Sequence, residues 1–221
     1  MRLSRVLVLP AIASALLSGC SSGPNFVAKH EPWRAQEESA CLNSGILVHT
    51  ASLTSRSALG GPSVCGTERP FELAAVADGR VRLKPTAMLR CPMIPQVERW
   101  VRESVIPAAS YYMGADLVEI SVAGSYSCRP MNHVSGAKLS EHGYANALDV
   151  SGFTFSNGRK ITLKRGWKGD PAEQAFLRAV RRGGCEHFST VLSPDYDRAH
   201  HDHFHLDLAR RGRDGLNRIC K

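Results

Sequence analysis

Seven cysteines, at positions 20, 41, 65, 91, 128, 185 and 220, constrain this chain most, because each pair that oxidises ties two distant segments together. From Cys41 onward they stand 24, 26, 37, 57 and 35 residues apart. No two are close enough for the Cys-x-x-Cys pairs of a thiolate zinc site. Six widely spaced cysteines instead predict three disulfides made in an oxidising compartment. Spacing does not fix the pairing, although joining Cys41 to Cys65 closes the shortest loop and is the cheapest local choice.

The seventh cysteine belongs to a different signal. Arg2 and Arg5 precede an apolar run over residues 6–17, and Leu17-Ser18-Gly19-Cys20 follows. The run is too short to span a bilayer comfortably and has the layout of a cleaved leader. Its last four residues resemble a bacterial lipobox, which implies removal of residues 1–19 and lipid on Cys20; two or more acyl chains anchor a protein stably. Ser21 fits the pattern for outer-membrane sorting. Residues 20–38 are polar and are expected to act as a tether, leaving residues 39–221 as one domain. Loss of Arg2 and Arg5 takes the formal net charge from +8 to +6. That mild excess suits an anionic cell envelope. It does not suit nucleic acid, since the basic residues are scattered apart from Arg210, Arg211 and Arg213, with no interleaved aromatics.

Periodicity predicts a mixed fold. Residues 45–53, 80–84, 117–123, 147–155, 160–163, 188–192 and 204–208 read as strands. Val97, Trp100, Val101 and Val105 share one face of a helix that Pro107 is expected to break or kink. A second helix runs over residues 171–182, with Asp170 as its N-cap and Gly183-Gly184 as its stop. Without regular βαβ alternation, the class is α+β: a mainly antiparallel sheet with flanking helices.

Two stretches carry chemistry. "SEHGYANALDV" (140–150) holds His142 and Asp149 with six residues between them, small Ala145 and Ala147 among these, and "AHHDHFHLDL" (199–208) supplies His200, His201, His203 and His205. Imidazole and carboxylate are good zinc ligands, and a catalytic zinc needs three protein ligands and one open position. His142 and Asp149 would give two, and the histidine cluster the third. The chain lacks HExxH, which excludes thermolysin-like zinc chemistry as far as sequence allows.

Taken together, "GSYSCR", "LSEHGYANALDVSGF" and "DHFHLDL" resemble the signature of the bacterial extensin-like C-terminal domain family. Through it, they resemble the zinc metallopeptidase superfamily of D-Ala-D-Ala carboxypeptidases and murein endopeptidases. The resemblance implies a D-Ala-D-Ala metallopeptidase-like fold, with His142, Asp149 and His205 as Zn2+ ligands. It implies a base beside them, for which His203 and Asp202 compete. Strand parity puts His203 on the face of His205 and turns Asp202 away. It also implies that Arg129 contacts a substrate carbonyl or carboxylate, or charge growing on it. Ser140 would orient a ligand or make a turn. At Ala145 the superfamily usually has glycine, so the backbone there is less permissive. Cys128 beside Arg129 is a further departure from the simpler carboxypeptidases.

The expected function is a zinc peptidase or amidase acting on peptidoglycan peptides; the alternative is a non-catalytic envelope lipoprotein that keeps the fold and binds peptidoglycan. His49, His133 and His187 read as structural, and His200 and His201 as spectators that either stand behind the ligands or face solvent.

Overall fold

The computed structural model describes residues 24–221. The leader expected over residues 1–19 and the lipid expected on Cys20 therefore fall outside the described residues. Helix α1 (Pro32–Asn43) comes first, followed by strand β1 (Leu53–Ser55), a small hairpin of β2 (Leu59–Gly60) and β3 (Gly66–Thr67), then β4 (Pro70–Val76) and β5 (Val81–Arg90). A long helical run holds α2 (Met93–Trp100) and α3 (Ile106–Ala108), and β6 (Leu117–Gly124), β7 (Ala147–Phe155) and β8 (Lys160–Thr162) follow. The chain ends with α4 (Leu163–Gly166), α5 (Pro171–His187), β9 (Thr190–Leu192), β10 (Phe204–Asp207) and β11 (Ile219–Cys220).

Among the described residues, one sheet has the order β1-β4-β5-β6-β7-β10-β9-β11, with β8 pairing the far half of β7. Every pair in it is antiparallel except β5 with β6 and β9 with β11. The α+β class with a mainly antiparallel sheet is thus what the chain forms.

Alternation along the strands decides which residues meet. Leu148 and Val150 of β7, with Phe204 and Leu206 of β10, enter the main core beside Val97 and Trp100 of α2 and Phe176, Leu177 and Val180 of α5. Asp149, His205 and Asp207 are set one residue out of phase and so project from the opposite face. The helices back one side of β7 and β10, and the polar side is left for a site.

Several expectations need correction. Pro107 does not break its helix: backbone in the right-handed region runs from α2 through wider turns at Val101–Val105 and Ala109–Met113, and ends at Gly114, whose φ is 59°. Widened turns of this kind relieve the clash between a proline ring and the preceding carbonyls. Gly183-Gly184 does not stop α5, which continues to His187. A Cβ on Gly183 would lie 2.1 Å from Ser104 Oγ, and one on Gly184 3.5 Å from Trp100 Nε1, so these glycines let two helices approach closely. Trp100 Nε1 donates to the Val180 carbonyl at 3.0 Å across that contact. The strand expected over residues 45–53 shrinks to Leu53–Ser55, since Ile46 and Val48 find no partner and stay exposed.

Disulfides join Cys41 to Cys91, Cys65 to Cys128 and Cys185 to Cys220. Three bonds form as expected, but Cys41 does not take Cys65. Helix α1 carries Cys41 to the residue that follows β5, and Cys65 is drawn toward the end of β6. The segment expected to be a tether is, from residue 24 on, packed against the domain. Val27 N–H donates to the Ala137 carbonyl and its own carbonyl accepts from Leu139 N–H. Phe26 is buried with Cys65, Leu139 and Tyr144 in a second small core. No helix of the described residues is long and apolar enough to cross a membrane.

Candidate metal centre

His142 is placed by a tight turn. Ser140 caps a short 3-10 helix, Glu141–Tyr144, by accepting from His142 N–H, so its part here is the turn. Ala145 then takes a left-handed backbone, φ 52°, which sends the chain into β7. This is the conformation glycine adopts without cost. The His142 carbonyl accepts from Ser127 N–H at 3.1 Å, and its Nδ1–H donates to the Ser125 carbonyl. That second bond fixes the tautomer and leaves Nε2 facing the sheet.

Cross-strand register supplies the remaining ligands. Asp149 of β7 lies directly opposite His205 of β10 on one side and Gly124 of β6 on the other. His142 Nε2 is 3.0 Å from Asp149 Oδ2 and 3.2 Å from His205 Nδ1, and His205 Nδ1 is 2.9 Å from Asp149 Oδ1. All three residues are buried. They form a group able to hold a metal ion, with ligand atoms within 4.8 Å of one another. Tetrahedral ligation at about 2.0–2.1 Å needs ligand atoms about 3.3 Å apart, close to these separations. The donor chemistry also fits: His142 has given its only neutral-state N–H to Ser125, so its Nε2 lone pair and the Asp149 carboxylate face each other, and a cation bound between them would satisfy both.

His205 is held from both sides. Its Nε2 is 3.1 Å from Asp207 Oδ2, while Asp207 Oδ1 accepts from Ala209 N–H at 3.0 Å. Burial alone would lower the pKa of His205, but hydrogen bonds to Asp149 and Asp207 outweigh it and raise it to about 10. Burial would raise Asp149, and the two imidazoles overcome that and hold it well below the usual carboxylate range. Asp207 was not singled out in the sequence, though His205-x-Asp207 on a strand puts both side chains on one face.

The two residues expected to compete for the base role stand in series. His203, one residue before β10, points Nε2 to within 3.7 Å of Asp149 Oδ1, and its Nδ1 lies 2.9 Å from Asp202 Oδ1. Asp202 faces out, half-exposed, and its pKa is lowered first by that hydrogen bond. Arg129 lines the same cleft next to the Cys65–Cys128 disulfide and donates to the Pro130 carbonyl at 3.4 Å.

Of the two positions expected for His200, behind the ligands or facing solvent, it takes the first. It is buried, its Nδ1 lies 2.6 Å from Asp197 Oδ1, and its ring sits 5.3 Å from that of His203 and 5.8 Å from that of His205. His201 is exposed. His49 packs against Phe71, and His187 lies 3.4 Å from Glu103. His133 has a left-handed backbone on the cleft rim.

The cleft encloses about 1040 Å³ and reaches from the histidines to Lys29 and Lys138. One wall is α1: Arg34 donates through both terminal nitrogens to Glu141, at 2.8 and 2.7 Å, and stacks over Tyr144.

A family model described as the extensin-like protein C-terminus matches residues 39–221. No curated protein and no solved structure matches the chain.

Proposed function

The chain belongs to the extensin-like protein C-terminus family, and from that premise we propose that it is a zinc-dependent peptidase or amidase acting on the peptides of bacterial peptidoglycan. The observation that carries this reading is the convergence of His142 Nε2, the Asp149 carboxylate and His205 Nδ1, with His203 Nε2 beside them at the floor of an open cleft. Two imidazoles and one carboxylate suit zinc better than the all-oxygen sets of calcium or magnesium. Three protein ligands leave one position for chemistry. A relation to the D-Ala-D-Ala metallopeptidases, in fold and in reaction, is part of the same proposal.

Zinc held there would supply Lewis acidity toward a peptide carbonyl and toward water. The chain's own residues do the rest. His203 Nε2 takes the proton of the attacking water and later gives it to the leaving amine. Asp202 Oδ1 accepts from Nδ1–H of His203, which keeps Nε2 free as a base and stabilises the imidazolium once formed. Arg129, on the cleft wall, holds the carbonyl or a carboxylate of the substrate. Lipid on Cys20 would place this cleft at an envelope membrane, with the outer membrane indicated by Ser21.

The test is direct. Protein spanning residues 24–221 is loaded with zinc, incubated with purified peptidoglycan, and the soluble fragments are identified by mass. Release of peptide fragments that stops when the metal is chelated is expected. Failure to release any fragment with zinc or other divalent ions would overturn the enzyme reading; co-sedimentation with the polymer in that case would establish a binding protein instead.

A further inference from the structure

The geometry points to Asp207 and Arg211 as positioning residues for the candidate metal centre, which hold His205 so that Nδ1, and not Nε2, faces the ion. This rests on the metal reading above.

His205 has two ring nitrogens, and a flip of its ring would exchange them. Asp207 removes that freedom. It is 1% exposed, follows His205 by two on the same face of β10, and lies 3.1 Å from Nε2. A carboxylate can only accept, so Nε2 keeps its proton toward Asp207, and Nδ1 is the nitrogen that would give up its proton to face the metal.

A carboxylate this buried needs its own partners. One oxygen takes Ala209 N–H. The other faces Arg211 Nη2 at 3.5 Å. Arg211 Nη1 also donates to Thr190 Oγ1, and Thr190 stands directly across from Asp207 in the β9–β10 register. The guanidinium thus bridges two neighbouring strands and keeps Asp207 charged and in place. Arg211 lies beyond β10 in a segment tied back where Asn217 N–H donates to the Arg211 carbonyl, and the Cys185–Cys220 disulfide fastens the end of the chain. The chain terminus therefore reaches the metal centre through a relay of Arg211, Asp207 and His205.

The experiment compares residues 24–221 of the parent with Asp207→Ala, Arg211→Met and Arg211→Lys. Zinc dissociation constants are measured by chelator competition, and the melting temperature of each metal-free protein is recorded alongside. Asp207→Ala should weaken zinc about 10- to 100-fold, the usual cost of losing a carboxylate behind a ligating histidine. Arg211→Met should weaken it by about threefold to tenfold with little change in melting, and Arg211→Lys should recover most of that loss. A role in stability alone would lower the melting temperature and leave the affinity of the folded protein unchanged. Should Asp207→Ala fail to fold, Arg211→Met carries the comparison, because its side chain is already 29% exposed. Zinc bound equally by parent and folded variants overturns this proposal only. A parent that binds no divalent ion overturns the metal centre with it.

Discussion

His205 lies between two carboxylates and, with its pKa raised to about 10, carries a proton on each ring nitrogen at neutral pH in the metal-free protein. Metal must displace the proton on Nδ1. Zinc uptake should therefore release close to one proton, and apparent affinity should weaken by about tenfold for each pH unit lowered. Calorimetry in two buffers of different ionisation enthalpy measures that release directly. His205→Ala should abolish metal retention through dialysis, since two ligands remain of three. His203→Ala should keep the zinc and lose about a hundredfold to ten-thousandfold in turnover, the span for a lost general base. Asp202→Asn should cost less, and on top of His203→Ala it should cost almost nothing, because the two act in series; rates of the three proteins on one peptide check this. Residue type and spacing picked out His142, Asp149 and the histidine cluster in the sequence, while the choice of His205 and His203 within that cluster came from the family resemblance. The link between Asp202 and His203 was not legible there, because His203 precedes the regular strand and parity alone says nothing of neighbours that bond to each other. Nor was the burial of His200, which depends on Asp197 capping a single turn.

Strands β6, β7 and β10 put Gly124, Asp149 and His205 in one row, and the missing side chain of its first member leaves the Asp149 carboxylate room. A Cβ on Gly124 would lie 3.0 Å from Asp149 Oδ2. Gly124→Ala should push that oxygen by a few tenths of an ångström and weaken zinc by about tenfold, with thermal unfolding little altered, as chelator competition and a melting curve would show. At this scale the sequence was most informative where one face is buried and the other polar: the strand expected over residues 147–155 is β7, residue for residue. It misled where proline or glycine was read as punctuation. Pro107 sits in α3 between two widened turns, and Gly183 and Gly184 mark the place where α5 meets Trp100 and Ser104. Local preference cannot register a neighbour about 80 residues away in sequence.

One wall of the cleft comes from the first of the described residues. Residues 24–31 and α1 cover a small core and pair Arg34 with Glu141, next to His142. A protein begun at residue 39, where the family match starts, would bare that core and leave Glu141 without its cation. It should lose on the order of 3–5 kcal/mol, the range for breaking a shielded ion pair, read as a lower denaturant midpoint than that of residues 24–221. Neither this wall nor the disulfide pattern could be read ahead, because each joins segments whose proximity only the finished sheet creates. The pattern has a consequence for how the chain matures. Cys41 and Cys65 are the first two of the six to emerge and the nearest to each other, yet the native bonds pass over that pair, and Cys41–Cys91 interlocks with Cys65–Cys128. Oxidation in order of emergence makes the wrong bond first. Correct maturation then depends on thiol exchange to undo it, so yield should be set by a shuffling catalyst and not by oxidising power alone.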